Sequence, residues 1–312
     1  MKKVFKRFEK TLSLYRYAFK YRKQRLTSYD ARTENDLIFL RNDLKKPPIP
    51  KKIWMYWGGN TLSEYVQKMI ARIREQNPDH QLVVLDDSTL GNYISPVVFL
   101  AEDIPIANKS DIIRLEILKK YGGIWIDAST LFFQDLSWVH ELNQQNDYDL
   151  IGFYNETATT DLDYPIIESW FLCSPPEDPF ISLWLEILSP LKELGAAAYY
   201  KMISERSDYA EIQQKISNPQ YLLVYLAQQI AMRQLPAINI YAKRCETSAF
   251  LYQESVLWNA DKLARLLCFK QAPEQLPPLI KLTSDNRRAI EQVIKFNLVN
   301  KNSIIGLLYN SK

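Results

Sequence analysis

One segment, residues 110–130, constrains the fold more than any other part of the chain, because it joins a helical pattern to a strand pattern through two glycines. Ser110 is a capping-type residue, and the apolar residues after it recur at helical spacing. The helical pattern ends at Gly122 and Gly123, where positive φ angles are allowed and the backbone can turn sharply. Residues 124–126 then form a short β-rich run, which predicts a buried strand. A helix followed at once by such a strand is typical of α/β proteins.

Four polar residues accompany these two patterns. Asp111 and Arg114 are three apart and share one face of the predicted helix, whereas Asp127 and Ser129 follow the predicted strand and share one side of it. A carboxylate and a hydroxyl at the carboxyl end of a strand, facing an Asp/Arg helix edge, suit a polyol or a metal-bound diphosphate. The alternative for Asp111 and Arg114 is an ordinary ion pair on a helix surface.

The motif S-D-x-x-R, followed by Y-G-G-I-W-I-D-A-S, resembles the core of the capsular polysaccharide synthesis glycosyltransferases. Those enzymes are related to the initiating α-mannosyltransferases and, more distantly, to the large glucosylating cytotoxins. Their usual motif is G-G-x-Y-x-D-x-D, the DxD signature of the GT-A nucleotide-sugar fold. The resemblance implies an α/β protein with a GT-A-type, Rossmann-like mixed sheet, mostly parallel and flanked by helices, with helical additions in the C-terminal half.

Two further stretches carry the same resemblance. Residues 49–59 read I-P-K-K-I-W-M-Y-W-G-G and are similar to the family's first strand, I-P-K-x-I-H-x-x-W-x-G. Residues 168–176 more weakly resemble a later strand and turn. The resemblance is clear over residues 49–136, thins out towards Arg288 and does not reach either end of the chain.

The resemblance implies a donor site and two catalytic residues. In these families an aromatic residue at the end of the first strand stacks on the nucleotide base, typically uracil, which indicates Trp57. Either Trp57 or Trp54 could be the buried one, and we expect Trp54 to lie in the core. Asp111 and Arg114 resemble the pair that contacts the donor sugar and its ribose. The expected catalytic residues are Asp127 and Arg114, and the expected donor-binding residues are Trp57, Gly58, Asp111, Arg114, Gly123 and Asp127.

The metal site is where this chain departs from the family's pattern. Asp127 is expected to ligate a Mn²⁺ or Mg²⁺ ion that bridges the diphosphate, but Ser129 replaces the second aspartate and is a poorer ligand. We therefore expect the metal to bind weakly without nucleotide, with Arg or Lys side chains offsetting the missing charge on the leaving diphosphate. Relatives often supply a further ligand after a strand near the C-terminus. Asp285 is the candidate for that ligand here.

Other chemistries have little support in the sequence. His80 and His140 are the two histidines and lie far apart along the chain, so neither a histidine metal site nor a Ser-His triad is expected. Neither GxGxxG nor GxxxxGK[ST] occurs, which weakens dinucleotide-binding and P-loop interpretations.

The predicted function is transfer of a sugar from a nucleoside-diphosphate sugar, with uridine as the expected base, to a hydroxyl of a capsular or other surface polysaccharide. The acceptor would be a lipid-linked oligosaccharide or a polysaccharide, and the resemblance implies retention at the anomeric carbon. Two alternatives stay open: a non-catalytic nucleotide-sugar-binding protein, and an adaptor at a membrane surface.

Positive charge is concentrated at the N-terminus. Residues 1–26 contain ten basic side chains and one acidic one, so they carry +9 of a chain whose net charge is +3. Aromatic residues are interspersed among these bases at helical spacing, which favours a helix lying on an anionic membrane surface. Nucleic-acid binding and a plain solvated helix are the alternatives. We expect no nucleic-acid partner.

Composition sets the remaining expectations. The three cysteines are scattered and no run is apolar enough to span a membrane, so we expect a cytoplasmic protein held peripherally at the inner face of the cell membrane. Residues 27–48 are polar and end in two prolines, which predicts a linker. The expected organisation is an N-terminal arm and linker over residues 1–46, a GT-A domain over 47–290, and a C-terminal helix or tail over 291–312.

Overall fold

The computed structural model describes residues 2–59, 61–95 and 97–310. Within them, seven strands form one sheet in the order β1-β8-β6-β7-β4-β2-β3, and β5 and β9 form a separate two-stranded sheet. The strands are β1 Leu37–Phe39, β2 Lys52–Tyr56, β3 Gln81–Leu85, β4 Gly123–Ile126, β5 Thr130–Phe132, β6 Leu150–Tyr154, β7 Ile167–Ser174, β8 Ile240–Arg244 and β9 Leu279–Lys281.

Most strands of the large sheet run in one direction. Strands β2, β3 and β4 are mutually parallel, and β6 and β8 are parallel to each other. Because β7 is antiparallel to both β4 and β6, these two groups point the same way, and β7 and the edge strand β1 run against them. The predicted mixed, mostly parallel α/β sheet is confirmed.

Helices cover both faces of this sheet. They are α1 Lys2–Tyr21, α2 Glu64–Gln76, α3 Ile106–Tyr121, α4 Ser137–Gln145, α5 Pro179–Leu188, α6 Leu191–Ser204, α7 Tyr209–Gln213, α8 Leu223–Gln234, α9 Leu251–Ser255, α10 Ala260–Phe269, α11 Ser284–Lys295 and α12 Ile304–Asn310. In the part of the chain that is described, none of them is both long and apolar enough to cross a membrane.

Strand β2 shows how the two faces are built. Its side chains alternate, so that Ile53 and Met55 join the core beneath α2 and α10, whereas Trp54 and Tyr56 join the core beneath α3, α5 and α8. This alternation follows from the two-residue period of a strand, and burial on both faces explains why the strand is almost continuously apolar.

The apolar pattern of the sequence predicts a helix over residues 62–76 and then a strand over residues 81–85, and this β-helix-β unit at the start of the sheet is confirmed. Helix α2 is capped by Ser63, whose side chain accepts a hydrogen bond from the Val66 N–H, and its predicted stripe of Tyr65, Met69 and Ile73 is buried. Strand β3 has the predicted boundaries and pairs in parallel with β2.

Helix α3 starts earlier than the sequence indicated. It begins at Ile106, after Pro105 in an extended conformation, so Ser110 lies inside the helix and is not its cap. The five additional helical residues, 106–110, include Asn108, which lies in the interior and is 1% exposed. The helix ends at Gly122, whose φ of +58° makes the turn into β4.

The linker predicted over residues 27–48 is wrong, because part of it forms the edge strand β1. This strand pairs antiparallel with β8, a strand that the sequence analysis missed. The proposed boundaries at residues 46 and 290 also fall within packed structure: Leu14 and Leu26 lie in the same core as the sheet, and so do Ile304 and Ile305 of α12. Helix α11 crosses the second boundary.

The helical C-terminal half differs in detail from its predicted segments. The sequence pattern predicts a single helix over residues 180–194, but α5 ends at Leu188 and α6 begins after Pro190. Helix α6 is itself interrupted at Gly195, where φ is +81°. Proline and glycine at these positions explain the breaks.

The small β5/β9 sheet brings the C-terminal region to the end of β4. Thr130 lies opposite Lys281 in this antiparallel pair, and Phe132 lies opposite Leu279. The chain leaves β4 at Ile126 and enters β5 only four residues later. The turn between them, residues 127–129, therefore lies beside the end of β9.

Replacing Gly123 by alanine should destabilise the protein by about 1–3 kcal/mol, the usual cost of a strained backbone conformation. Gly123 has a φ of +99°, and a Cβ there would lie 2.6 Å from the Lys52 carbonyl oxygen. Urea unfolding measures the change. Gly91→Ala is the matched control, because a Cβ at Gly91 meets nothing within 4 Å. Equal stability of the two variants would contradict this account.

Candidate functional site

The candidate site lies at the carboxyl ends of β2 and β4. In the parallel β2/β4 pair Trp54 is opposite Trp125, so the same register continued by two residues puts Tyr56 beside Asp127. Neighbouring strands are about 4.8 Å apart, and the residues that follow them are therefore close neighbours. This edge is where open α/β sheets usually bind ligands.

Asp111, Arg114 and Asp127 are joined by ion pairs. The Arg114 guanidinium contacts the Asp111 carboxylate one turn back on α3, and its Nη2 donates to Asp127 Oδ1 at 3.0 Å. The Trp125 indole N–H donates to the same Oδ1 at 3.2 Å. Arg114 is 4% exposed, so the Asp111–Arg114 contact is a buried pair rather than the surface ion pair considered as its alternative.

A residue that the sequence analysis did not single out completes the cluster. Lys281, the last residue of β9, places its Nζ 2.6 Å from Asp127 Oδ2 and 3.3 Å from Ser129 Oγ. Its side chain is 12% exposed. The signal in the sequence was indirect: a basic residue in the late strand, combined with the missing second aspartate, could have suggested it.

The two carboxylates of the cluster differ in their electrostatics. Burial alone would raise the pKa of Asp127, but Lys281 and then Arg114 outweigh it and lower this pKa to about 2. Burial raises the pKa of Asp111 above its usual value, and Arg114 only partly opposes that shift. Asp127 is therefore ionised at neutral pH, and Asp111 is the carboxyl of the pair that binds a proton more readily.

Strand β7 contributes a third carboxylate, which is buried and to which the sequence analysis assigned no role. Glu168 is 5% exposed and accepts hydrogen bonds from the Tyr225 hydroxyl at 2.5 Å and from Asn155 Nδ2 at 3.0 Å. Burial raises its pKa, and Lys281 is near enough to oppose the rise. The next residue, Ser169, contacts Asp111 Oδ1 at 3.5 Å.

Trp54 in β2 and Trp57 just after it differ in burial, as expected. Trp54 is fully buried and donates its indole N–H to the Gly122 carbonyl at 2.9 Å. Trp57 follows β2 and is only partly buried, and the Arg287 guanidinium lies 4.7 Å from the centre of its ring. One face of Trp57 is therefore covered by a cation in this structure.

The two glycines assigned to the donor site have different positions. Gly58 follows Trp57 at the site edge, and a Cβ there would collide with the Tyr56 hydroxyl. Gly123 begins β4, whereas Asp127 follows its other end, about 13 Å of extended chain away. The assignment of Gly123 to donor binding is therefore wrong, since its close approach is to the Lys52 backbone.

The expected metal ligands do not fit a divalent cation in this arrangement. Both Asp127 oxygens already bond to cationic or N–H groups, and the Ser129 hydroxyl donates to the Leu282 carbonyl at 2.8 Å. Asp285 forms an ion pair with Arg288, and its side chain is 70% exposed. No group of three or more potential His, Cys, Asp or Glu ligands is found among the described residues.

The histidines are distant in sequence but adjacent in space. His80 and His140 face each other with their Nε2 atoms 2.9 Å apart, and Asp79 contacts His80 Nδ1 at 2.8 Å. Burial, followed by the charges of His80 and Lys51, lowers the pKa of His140 to about 4. The two rings are therefore in contact despite the separation of His80 and His140 along the chain.

Comparison with known proteins identifies the family. Residues 3–218 match the family described as "Capsular polysaccharide synthesis protein". The chain belongs to this family. The match includes the S-D-x-x-R segment, β4 and Asp127, whereas Lys281 and Asp285 lie beyond its end.

Individual relatives are more distant. One curated relative is "O-glycosyltransferase braB" of Annulohypoxylon truncatum. It is 26% identical over an alignment of 181 residues, and the match covers 52% of this chain and 42% of that protein. The chain thus spans about two fifths of the length of that relative.

Two solved structures give loose superpositions. "PaToxG Glycosyltransferase" has a TM-score of 0.39 and 18% identity over 98% of this chain and 95% of its own. The apo-form glycosyltransferase GlyE of Streptococcus pneumoniae TIGR4 has a TM-score of 0.34 and 9% identity, over 84% of this chain and 63% of its own.

Replacing Arg114 by methionine should lower the free energy of unfolding by about 3–5 kcal/mol at pH 7, because it leaves the buried Asp111 carboxylate without its cation and removes one of the two cations of Asp127. The loss should shrink as the pH falls from 7 towards 5. In the variant, Asp111 has a folded-state pKa raised further above its unfolded value, so protonation relieves the folded state first. Urea unfolding at both pH values measures this.

Arg206→Met is the control for that experiment. Arg206 pairs with Asp208 on the surface, where an ion pair contributes little to stability. A similar small effect in Arg114→Met, or one that does not depend on pH, would show that the buried cluster is not held by charge.

Proposed function

We propose that this protein is a GT-A-type glycosyltransferase that moves a sugar from a nucleoside-diphosphate sugar, with uridine as its base, to a hydroxyl of a surface polysaccharide. The observation that carries the proposal is the strand-end cluster around Asp127. An ionised carboxylate, two cations and a partly exposed aromatic ring lie at the edge of the sheet where nucleotides bind. Membership of the capsular polysaccharide synthesis family supports it.

In the proposed reaction the bond between the anomeric carbon and the diphosphate oxygen breaks, and its electron pair leaves with the nucleoside diphosphate. A bond forms between that carbon and the acceptor oxygen, whose hydroxyl proton is released. Charge develops on the leaving oxygen, so fixed cations near it lower the barrier. Retention at the anomeric carbon, which the family resemblance implies, is part of the proposal.

The proposed roles of the site residues follow from what each side chain offers. Trp57 is only partly buried and would stack on the base, beside the backbone of Gly58. Asp127 would act at the reaction centre together with its cationic neighbours. Arg114 and Asp111 are buried, so their main role would be to position Asp127. At the margin of the cluster, Asp111 could accept a hydrogen bond from a donor hydroxyl, and Arg114 could donate one.

The structure supports a Mn²⁺ or Mg²⁺ cofactor less well than it supports a nucleotide-sugar donor. A divalent ion would add charge for the diphosphate when bound, with Asp127 and Ser129 as the nearest oxygen ligands. Both of these side chains are already hydrogen-bonded to Lys281, and Asp285 is paired with Arg288. No step of the proposed reaction therefore depends on a metal ion.

A non-catalytic nucleotide-sugar-binding protein is the second candidate. Two features favour it. Ser129 stands where relatives have a carboxylate, and each oxygen of Asp127 is already paired with a cation, Arg114 or Lys281. Such a protein would bind the donor but would not break its glycosidic bond.

Asp127→Asn should reduce transfer by about 100-fold or more, the usual effect of removing one electrostatic contact to a reaction centre. Release of nucleoside diphosphate from a panel of nucleotide sugars, with oligosaccharide acceptors, measures transfer. Circular dichroism should show a folded variant. Asp163→Asn is the control, because Asp163 is a surface residue paired with Arg41.

Three outcomes of that assay are distinguishable. Loss in Asp127→Asn alone supports the proposal, and full turnover in this variant removes Asp127 from the reaction. Binding of a nucleotide sugar to the wild-type protein without any turnover favours the non-catalytic binder instead.

The N-terminal helix is the proposed contact with an anionic membrane at the inner face of the cell. In α1, Leu12, Tyr15 and Phe19 share one face and are 43%, 52% and 78% exposed. The opposite side is anchored, since Leu14 is buried and Arg265 lies over the ring of Tyr17. An exposed apolar face in a strongly basic segment is typical of interfacial helices. A lipid-linked acceptor would be reached from such a surface.

A triple variant, in which Leu12, Tyr15 and Phe19 are all replaced by serine, should bind more weakly to vesicles that contain phosphatidylglycerol. The substitutions remove the apolar face of α1 and keep its charge. Co-sedimentation measures binding. Leu162→Ser is the control, as Leu162 is 53% exposed elsewhere on the molecule. Equal binding of all three proteins, or no binding by the wild type, would contradict the proposed membrane contact.

A further inference from the structure

The ammonium group of Lys281 lies over the carboxylate that the family resemblance assigns to a metal ion. Its Nζ is 2.6 Å from Asp127 Oδ2, on the side opposite to the Arg114 contact with Oδ1. Ser129 Oγ is 3.3 Å from the same nitrogen. A single lysine therefore contacts both strand-end side chains that would otherwise be the metal ligands.

The fold holds Lys281 in this place through its backbone. The residue ends β9 opposite Thr130, so its position relative to the turn at residues 127–129 is fixed by the pairing with β5. Its N–H donates to the Ala249 carbonyl at 3.1 Å, and its carbonyl accepts a hydrogen bond from the Gln253 side chain. Lys281 is thus not a mobile surface side chain that reached Asp127 by chance.

The charges of the cluster are already balanced. Asp111 and Asp127 contribute two carboxylates, and Arg114 and Lys281 contribute two cations, all connected by contacts within hydrogen-bonding distance. A divalent ion on Asp127 would be placed next to an ammonium group that binds the same carboxylate, and the two cations would repel each other at low dielectric. Ser129 offers no negative charge to offset that repulsion.

Lys281 also keeps donor capacity for a ligand. A lysine ammonium has three N–H donors. Among the described residues Asp127 Oδ2 and Ser129 Oγ take two of them, and the third is left for an oxygen at the open edge of the site. A diphosphate oxygen suits that position, because a phosphate accepts charge-assisted hydrogen bonds from a fixed cation.

We propose that Lys281 binds the diphosphate of the donor directly and supplies there the positive charge that a divalent metal ion would supply, so that donor binding and transfer do not require a metal. This inference rests on the proposed function, since it assigns a residue to the diphosphate of the same donor. Asp127 then holds the ammonium in place, and Lys281 is a catalytic residue that contacts the leaving group.

The first test titrates the wild-type protein with UDP in a calorimeter. GDP and ADP are titrated in the same way, because they carry the alternative bases. UDP should bind at least as tightly in EDTA as in MnCl₂, because a site that contacts the diphosphate through Lys281 gains no affinity from a metal ion bound to the nucleotide. Transfer in EDTA should equal transfer in MnCl₂. Binding or transfer that appears only with Mn²⁺ would overturn the inference.

The second test replaces Lys281 by methionine. UDP should bind about 10- to 100-fold more weakly, the loss expected for one charge-assisted hydrogen bond. Uridine lacks the phosphates, so its affinity should not change. Lys281→Arg should restore most of the UDP affinity, because it restores the charge. Lys262→Met, on the exposed side of α10, is the control for removing a lysine.

The outcomes separate this inference from the proposed function. If none of the three nucleoside diphosphates binds the wild type under either condition, the proposed function fails. If UDP binds but Lys281→Met binds it equally well, only the role of Lys281 fails. A parallel loss of uridine affinity would mean that the substitution disturbed the site as a whole. In that case UDP binding by the wild-type protein in EDTA and in MnCl₂ decides whether a metal ion is required, since this comparison needs no variant.

Discussion

The site depends on the ion pairs that Arg114 and Lys281 form with the negatively charged Asp127 carboxylate. This carboxylate follows β4, its two cations come from α3 and β9, and the three elements are distant in sequence. A carboxylate that is partly removed from water needs such partners, and each of them is held by its own backbone pairing. The contacts therefore tie the parallel half of the sheet to the C-terminal region, alongside the β5/β9 pair and the packing of α11 and α12 in the same core.

The same ion pairs link stability to chemistry. Cations fixed before the donor arrives need no reorganisation when charge develops on a leaving phosphate, which is the condition for strong electrostatic stabilisation. Arg114 is too deeply buried to leave its carboxylates, so it serves the site by orienting Asp127. Lys281 is the more exposed of the two cations and retains a free donor, so it is the one able to meet a ligand.

Elements with strong local patterns were predictable from the sequence. Strand β3 and the buried stripe of α2 could be predicted because the spacing of apolar residues that marks each of them lies within one short segment. The short strands β1 and β8 were missed because their pairing with each other joins residues about two hundred positions apart, which no local pattern reports. Among site residues, Asp111, Arg114 and Asp127 were grouped by spacing alone, whereas Lys281 required the register of β9 against β5.

Ser129 shows why the departure from the DxD pattern is more than a lost ligand. Its hydroxyl donates to the Leu282 carbonyl and at the same time accepts a hydrogen bond from Lys281. A hydroxyl can do both, whereas an ionised carboxylate only accepts, and would leave that carbonyl without its donor. Serine at this position therefore satisfies both the Leu282 carbonyl and the Lys281 ammonium, whereas an ionised aspartate would satisfy only the ammonium. The substitution and Lys281 are two parts of one arrangement, in which a protein cation takes the position beside the strand-end carboxylate.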